Sequence, residues 1–163
     1  MKKLLLLAAV AIMSVCTMNA QTEIKYQGEV DLGYSLGVGD FASNRINIHT
    51  IQGVKIGDYF STGIGIGVDL YHEGGTSVMI PVYLNMKGYL PNNSNITPYL
   101  SFDIGGGFGV GDTSGLSGMM ISPAIGIKTG AFKAQLGYNV QKISESGIGI
   151  NMSAMQLKLG FAF

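Results

Sequence analysis

The sequence contains few charged residues and only one cysteine. Asp, Glu, Lys and Arg make up 12% of its 163 residues, whereas about 25% is typical of a soluble domain. Basic and acidic residues are equal in number, ten of each, and the mean hydropathy is +0.32. The chain therefore lacks the basic excess of a nucleic-acid-binding protein and the charge with which a soluble domain covers its surface.

The beginning of the chain, residues 1–20, has the composition of an export signal peptide. Lys2 and Lys3 give a positive start, residues 4–13 form an apolar core, and small or polar residues lead to Ala20. The apolar core is too short to cross a bilayer as a helix. We therefore expect a signal peptide that is cleaved after Ala20.

The mature domain is then residues 21–163, with eight basic and ten acidic residues and a net charge of −2. Cys16 lies in the signal peptide, so the mature domain is expected to have neither a disulfide nor a thiolate site. It contains no run of about 20 apolar residues, the length of a membrane-spanning helix. An apolar chain without such a run must distribute its hydrophobic residues in a regular pattern along the sequence.

Apolar and polar residues alternate through the mature domain, as in a β-strand with one apolar face. The alternating segments are close in length to the roughly 9–11 residues of a tilted membrane strand, and residues typical of turns separate them. Their approximate ranges are 23–36, 45–56, 60–71, 78–90, 98–110, 119–129, 131–141 and 152–163. These eight segments predict an all-β fold, an eight-stranded antiparallel up-and-down transmembrane β-barrel.

Alternation alone does not decide which face meets the solvent, since a secreted lipocalin-like barrel has the same period with its faces exchanged. The polar face here is mostly Gly, Ser, Asn, Gln and Tyr with scattered ions, which suits a narrow interior. We therefore predict a polar network in the lumen. Its charged members are Lys25, Glu29, Asp31, Arg45, Lys55, Asp69, Lys87, Asp103, Lys128, Lys133 and Lys158. Because bases outnumber acids seven to four, some lysines are expected at the rims.

The last segment ends on an aromatic residue, as the closing strand of an outer-membrane barrel would. We predict that Leu157, Leu159, Phe161 and Phe163 form the C-terminal signal that a barrel-assembly machinery recognises. Aromatic residues near the strand ends also predict two interfacial girdles. They are Tyr26, Phe60, Phe132, Phe161 and Phe163 at one end, and Tyr34, Phe108 and Tyr138 at the other.

Residues that could carry out chemistry are few. The run Gly105–Gly111 has neither a G-x-G-x-x-G pattern nor a Gly-Lys pair, so we interpret it as a strand with small inward positions. The two histidines are His49, which could meet Asp69 or Ser101 inside the barrel, and His72 in a polar loop. Neither belongs to a spaced catalytic or metal-ligating set. The sequence thus predicts no enzyme activity, no cofactor and no metal site.

Several stretches resemble the outer-membrane β-barrel domain family that is abundant in Bacteroides-type bacteria. They are Ile80–Leu90, Thr97–Ser101, Ser122–Lys128, Leu136–Asn139 and Leu157–Phe163. The resemblance covers nearly the whole mature domain and implies a small barrel of the OmpA/OmpX kind in the outer membrane. Members of this family are often called porin-like without demonstrated transport, so the resemblance implies a fold and a location rather than an activity.

We therefore predict a small integral outer-membrane protein whose lumen is plugged by side chains, because so small a barrel leaves an interior only just wide enough for them. It is expected to be a monomer surrounded by outer-membrane lipid and lipopolysaccharide, with a non-enzymatic structural or surface-interaction role. A narrow porin-like channel, a lipid-modifying barrel enzyme and a secreted soluble ligand binder are the alternatives.

Overall fold

The computed structural model describes residues 23–39, 43–71, 77–111, 116–145 and 148–163, and of residues 143–145 and 148–150 it describes only the backbone. The predicted signal peptide and His72 lie outside these ranges. Within them, no helix is long and apolar enough to cross a membrane.

The described chain consists of eight strands that form one closed sheet. They are β1 (Ile24–Val38), β2 (Arg45–Ile56), β3 (Phe60–Tyr71), β4 (Ser77–Tyr89), β5 (Ile96–Val110), β6 (Ser117–Thr129), β7 (Phe132–Glu145) and β8 (Ile148–Ala162). Each strand pairs antiparallel with its neighbour in sequence, and β1 pairs with β8 to close the barrel. The prediction of an all-β, eight-stranded antiparallel up-and-down barrel is confirmed.

The two ends of the barrel differ in their connections. Three connections, at residues 57–59, 90–95 and 130–131, lie at one end, together with the start of β1 and the end of β8. We call this the turn end. The opposite end, which we call the loop end, carries the other four connections between strands.

The largest departure from the predicted strand bounds is in β7 and β8. The alternating pattern stops at Gln141 and resumes at Met152, whereas the two strands remain paired as far as Glu145 and Ile148. An antiparallel ladder needs only backbone groups, so it continues past the residues whose side chains alternate. The predicted loop 142–151 is therefore mostly strand.

The outward face of the barrel is apolar and exposed. Leu32, Ile64 and Leu159 expose 60%, 64% and 61% of their surface, although such side chains are usually buried in water-soluble proteins. In total, 34 large apolar side chains are exposed among the described residues. The predicted girdle aromatics are also exposed except Phe60, which is partly buried, and Tyr59 is a further exposed aromatic beside them.

The lumen is filled by side chains that require small residues in the facing wall. Tyr83 lies directly across the ladder from Gly65, and Tyr99 lies across from Gly126. A Cβ atom at either glycine would overlap the facing tyrosine ring, and one at Gly105 would overlap the backbone of Tyr83. Glycines in these strands therefore make room for large inward rings in a narrow barrel.

Candidate functional site

The polar interior near the turn end is organised around Glu29. Lys87 Nζ lies 3.0 and 2.9 Å from the two carboxylate oxygens of Glu29. Lys133 Nζ also pairs with Glu29 and lies 2.9 Å from Asp31 Oδ1. These four residues, which we call the Glu29 cluster, are all less than 7% exposed. Because they come from β1, β4 and β7, their ion pairs tie together three parts of the wall across the lumen.

Neutral side chains extend the Glu29 cluster. Lys87 Nζ donates to Asn85 Oδ1 at 2.6 Å, and Asn85 Nδ2 donates at 2.5 Å to the carboxylate of Asp103. On the other side, Gln27 Nε2 donates to Glu29 at 2.6 Å and to the Tyr89 hydroxyl at 3.0 Å. The amides thereby satisfy carboxylate oxygens that would otherwise be costly to bury.

A second cluster near the loop end surrounds Asp69. His49 Nε2 lies 2.9 Å from Asp69 Oδ1, Asn47 Nδ2 donates to the same oxygen at 2.6 Å, and Arg45 Nε lies 3.7 Å from Oδ2. Arg45 also donates to the hydroxyl of Tyr71 at 3.0 Å. We call Arg45, Asn47, His49, Asp69 and Tyr71 the Asp69 cluster, and all five are buried. Its contacts join β2 to β3.

The hydrogen bonds around His49 assign the protons of its ring. The carboxylate of Asp69 can only accept, so His49 Nε2 is the donor of their hydrogen bond and carries a hydrogen. The other nitrogen, Nδ1, lies 3.0 Å from the Tyr83 hydroxyl and 3.5 Å from Lys158 Nζ. Because the ammonium of Lys158 is a donor only, Nδ1 acts as an acceptor, which is the neutral tautomer. Both ring nitrogens are therefore bonded within the protein.

The predicted network residues divide between the interior and the turn end. Eight of the eleven predicted charged residues are at most 6% exposed: Glu29, Asp31, Arg45, Asp69, Lys87, Asp103, Lys133 and Lys158. Lys55 and Lys128 are only partly buried at the turn end, and Lys25 is exposed beside Glu23 at 3.0 Å. With His49 neutral, the deep interior has four acids and four bases.

Several residues of these clusters were not predicted from charge. Asn47, Asn85, Gln27 and Tyr71 each hydrogen-bond a charged side chain, and Tyr83 hydrogen-bonds His49. The available signal was their position on the polar face of each strand, which they share with the charged residues. Of the two partners that were considered for His49, the structure brings Asp69 to it, while Ser101 contacts Asn85.

The predicted C-terminal signal residues are on the outside of the closing strand. Leu157, Leu159, Phe161 and Phe163 expose 56%, 61%, 43% and 59% of their surface. Phe163 exchanges two backbone hydrogen bonds of 2.8 Å with Gly28, which fastens the end of the chain to β1. Their recognition by an assembly machinery stays a prediction.

No set of three His, Cys, Asp or Glu side chains that could hold a metal ion is found in the described ranges. No protein-family model and no curated protein sequence matches the chain. It is similar to the crystal structure of Neisserial surface protein A (NspA), with 12% identity and a TM-score of 0.64, over 86% of this chain and 97% of that chain. The chain has the fold of the small outer-membrane β-barrels.

Two further solved structures lead to the same fold. The outer membrane enzyme PagL is 12% identical with a TM-score of 0.60, over 82% of this chain and 98% of that chain. The N-terminal β-barrel domain of Pseudomonas aeruginosa OprF is 15% identical with a TM-score of 0.52, over 86% of this chain and 100% of that chain. These similarities support the OmpA/OmpX-like kind of barrel that the sequence resemblance implied, and they concern the fold alone.

Proposed function

We infer that this chain is a small integral protein of the bacterial outer membrane, with its strands spanning the bilayer. The distribution of side chains carries this proposal: Leu32 and Ile64 are more than half exposed, whereas Lys87 and Glu29 are 1% and 2% exposed. In water this arrangement would be costly, because full burial of a Leu or Ile side chain is worth about 1.5–3 kcal/mol. Against acyl chains, the apolar face needs no cover.

The remaining parts of the proposal rest on the sequence. The chain is exported through a signal peptide at residues 1–20, and the assembly machinery recognises Leu157, Leu159, Phe161 and Phe163. It is a monomer surrounded by outer-membrane lipid and lipopolysaccharide. The family is the outer-membrane β-barrel domain family of Bacteroides-type bacteria.

Heat-modifiable gel mobility and membrane fractionation test this proposal. The unboiled mature protein is expected to migrate differently from the boiled one, since a barrel that has its full ladder of backbone hydrogen bonds resists detergent until it is heated. It is also expected in the outer-membrane fraction. Recovery as a soluble monomer that needs no detergent would instead favour the secreted ligand binder.

We propose a structural or surface-interaction role without catalysis for this barrel, with a lumen that does not conduct. The support is that Glu29 and Lys133 each have two oppositely charged partners inside the barrel. Ion flow would require these pairs to separate in a narrow, poorly hydrated space, which is unfavourable. Planar-bilayer recordings of the purified protein are therefore expected to show no stable openings.

A narrow channel is the second candidate, and the ionic character of the lumen favours it over any carrier of apolar ligands. In that case the recordings would show openings, and Glu29→Gln would change their frequency because Glu29 binds lysines from β4 and β7.

A lipid-modifying enzyme is a third candidate. Loss of the gene, and separately His72→Ala, would then alter lipid A as measured by mass spectrometry.

A further inference from the structure

A pocket of about 220 Å³ opens at the turn end of the barrel. We call it the rim pocket, and define it by Lys55, Asp58, Tyr89, Thr97, Lys128 and Gly130. A water molecule takes up about 30 Å³ in the liquid, so the pocket has room for one small oxyanion together with several waters. None of these residues belongs to the Glu29 cluster or the Asp69 cluster.

Two lysines line the rim pocket from opposite walls. Lys55 is on β2 and Lys128 is on β6, which are four strands apart in the closed order of eight. The ring of Tyr89 lies beneath Lys55, with Nζ 5.6 Å from the ring centroid, and fixes its direction. A ligand between the two lysines would therefore receive donors from both sides.

The positive charge of the rim pocket is not balanced by the protein. Asp58 is the only acid of the pocket, and its carboxylate, which is 80% exposed, lies 3.3 Å from Lys55 Nζ. Lys128 makes no ion pair or hydrogen bond with any residue in the described ranges. Lys133 lies opposite it in the ladder, but the carboxylates beyond, Glu29 and Asp31, are already bound to Lys133 and Lys87. One positive charge is left over at the pocket.

We propose that the rim pocket binds an oxyanion, a phosphate or carboxylate group, between Lys55 and Lys128. Thr97 lines the same pocket, and its side chain carries a hydroxyl that can serve as a further donor. Hydrogen bonds between charged partners are shorter and stronger than neutral ones. A partly buried pair of lysines at the mouth of a barrel therefore attracts an anion more strongly than an isolated, hydrated lysine does, because water and salt screen the pair less.

The test uses the full mature protein, refolded in an uncharged maltoside detergent and titrated with inorganic phosphate. Backbone amide signals of Thr97 and Gly130 are followed by NMR, with sodium chloride at equal ionic strength as the reference. Saturable shifts are expected with phosphate and not with chloride. In Lys128→Met the apparent Kd should rise about tenfold, which is the effect of losing one charged hydrogen bond. Lys128→Arg should retain binding.

Matched controls separate a site from a general effect of charge. Lys25→Met removes an exposed lysine outside the pocket and should leave the titration unchanged. Each variant is first shown to be folded by its heat-modifiable mobility. Equal shifts with chloride and phosphate, or saturable shifts in folded Lys128→Met with the same apparent Kd as the unaltered protein, would overturn the proposal.

Additional arms identify the source of the anion. Acetate tests whether a carboxylate suffices, and phosphatidylglycerol vesicles compared with phosphatidylcholine vesicles test an anionic lipid headgroup. Shifts with free phosphate or acetate that require Lys128 support a dissolved ligand. Shifts that require Lys128 but occur only in phosphatidylglycerol vesicles support a headgroup. No response in any arm would refute anion binding, while leaving the proposed membrane location untouched.

Discussion

Glu29 has two oppositely charged partners inside the barrel, because lysines from two other strands bind its carboxylate. At 2% exposure it has exchanged water for these partners. Removal of one member of such a group leaves the others buried with uncompensated charge. The resulting loss of stability is larger than the net stabilisation that the ion pair itself provides. Glu29 therefore neutralises Lys87 and shares Lys133 with Asp31.

Glu29→Gln is expected to destabilise the folded barrel by about 3–5 kcal/mol, since Lys87 and Lys133 would then be buried without full neutralisation. The folded fraction against urea concentration, read from unboiled gels, measures this because the chain contains no tryptophan. Lys25→Met, which removes an exposed ion pair, should have little effect. Equal midpoints for the two variants would contradict the assigned role of Glu29.

Gly126→Ala is expected to destabilise the barrel by about 1–3 kcal/mol, the usual cost of overpacking. The added methyl group would overlap the ring of Tyr99. Gly88→Ala is the matched control in another strand, because a Cβ atom there meets nothing within 4 Å. The same urea titration compares them, and a Gly126→Ala protein as stable as Gly88→Ala would show that the ring moves aside freely.

At the scale of the strands, the sequence predicted which face of a strand each residue lies on, but not which residues meet across the lumen. Period two places Glu29, Lys87 and Lys133 on the polar face of their strands. It contains no information about which of them meet across the lumen, because that depends on the stagger between strands when the sheet closes. The length of β7 and β8 was missed for a related reason, since backbone pairing continues to Glu145 and Ile148 although the alternation of apolar and polar residues in the sequence stops at Gln141.

The closing strand gives a prediction at this scale. If the assembly machinery recognises the terminal aromatic residue, Phe163→Ala is expected to lower the amount of heat-modifiable protein in the outer membrane severalfold. The refolded fraction in detergent should change little, because the paired hydrogen bonds with Gly28 use only the backbone. Phe132→Ala removes an exposed aromatic from the start of β7 and serves as control. Equal losses in the two variants would argue against a C-terminal signal.

For the whole molecule, the decisive property is that charge lies inside and apolar surface lies outside. If the outside meets lipid, an arginine there has a cost that depends on depth. Leu84→Arg, in the middle of β4, should destabilise the barrel in vesicles by about 2–4 kcal/mol, and Ile24→Arg, at the very start of β1, by about 0–1 kcal/mol. Urea titration of vesicle-embedded protein measures both. Equal, small effects at the two depths would mean that this surface faces water.

The pairing of Glu29 in β1 with Ala162 in β8 also has a consequence for biogenesis. The two edges that meet there belong to the first and the last strand to be made, so the edge of β1 that pairs with β8 stays open until the end of synthesis, although β2 already covers the other edge. Throughout that interval both edges present unsatisfied amide and carbonyl groups, which attract other extended chains. We therefore expect the unfinished sheet to need protection until β8 pairs with β1, and a product that lacks β8 would keep both edges open.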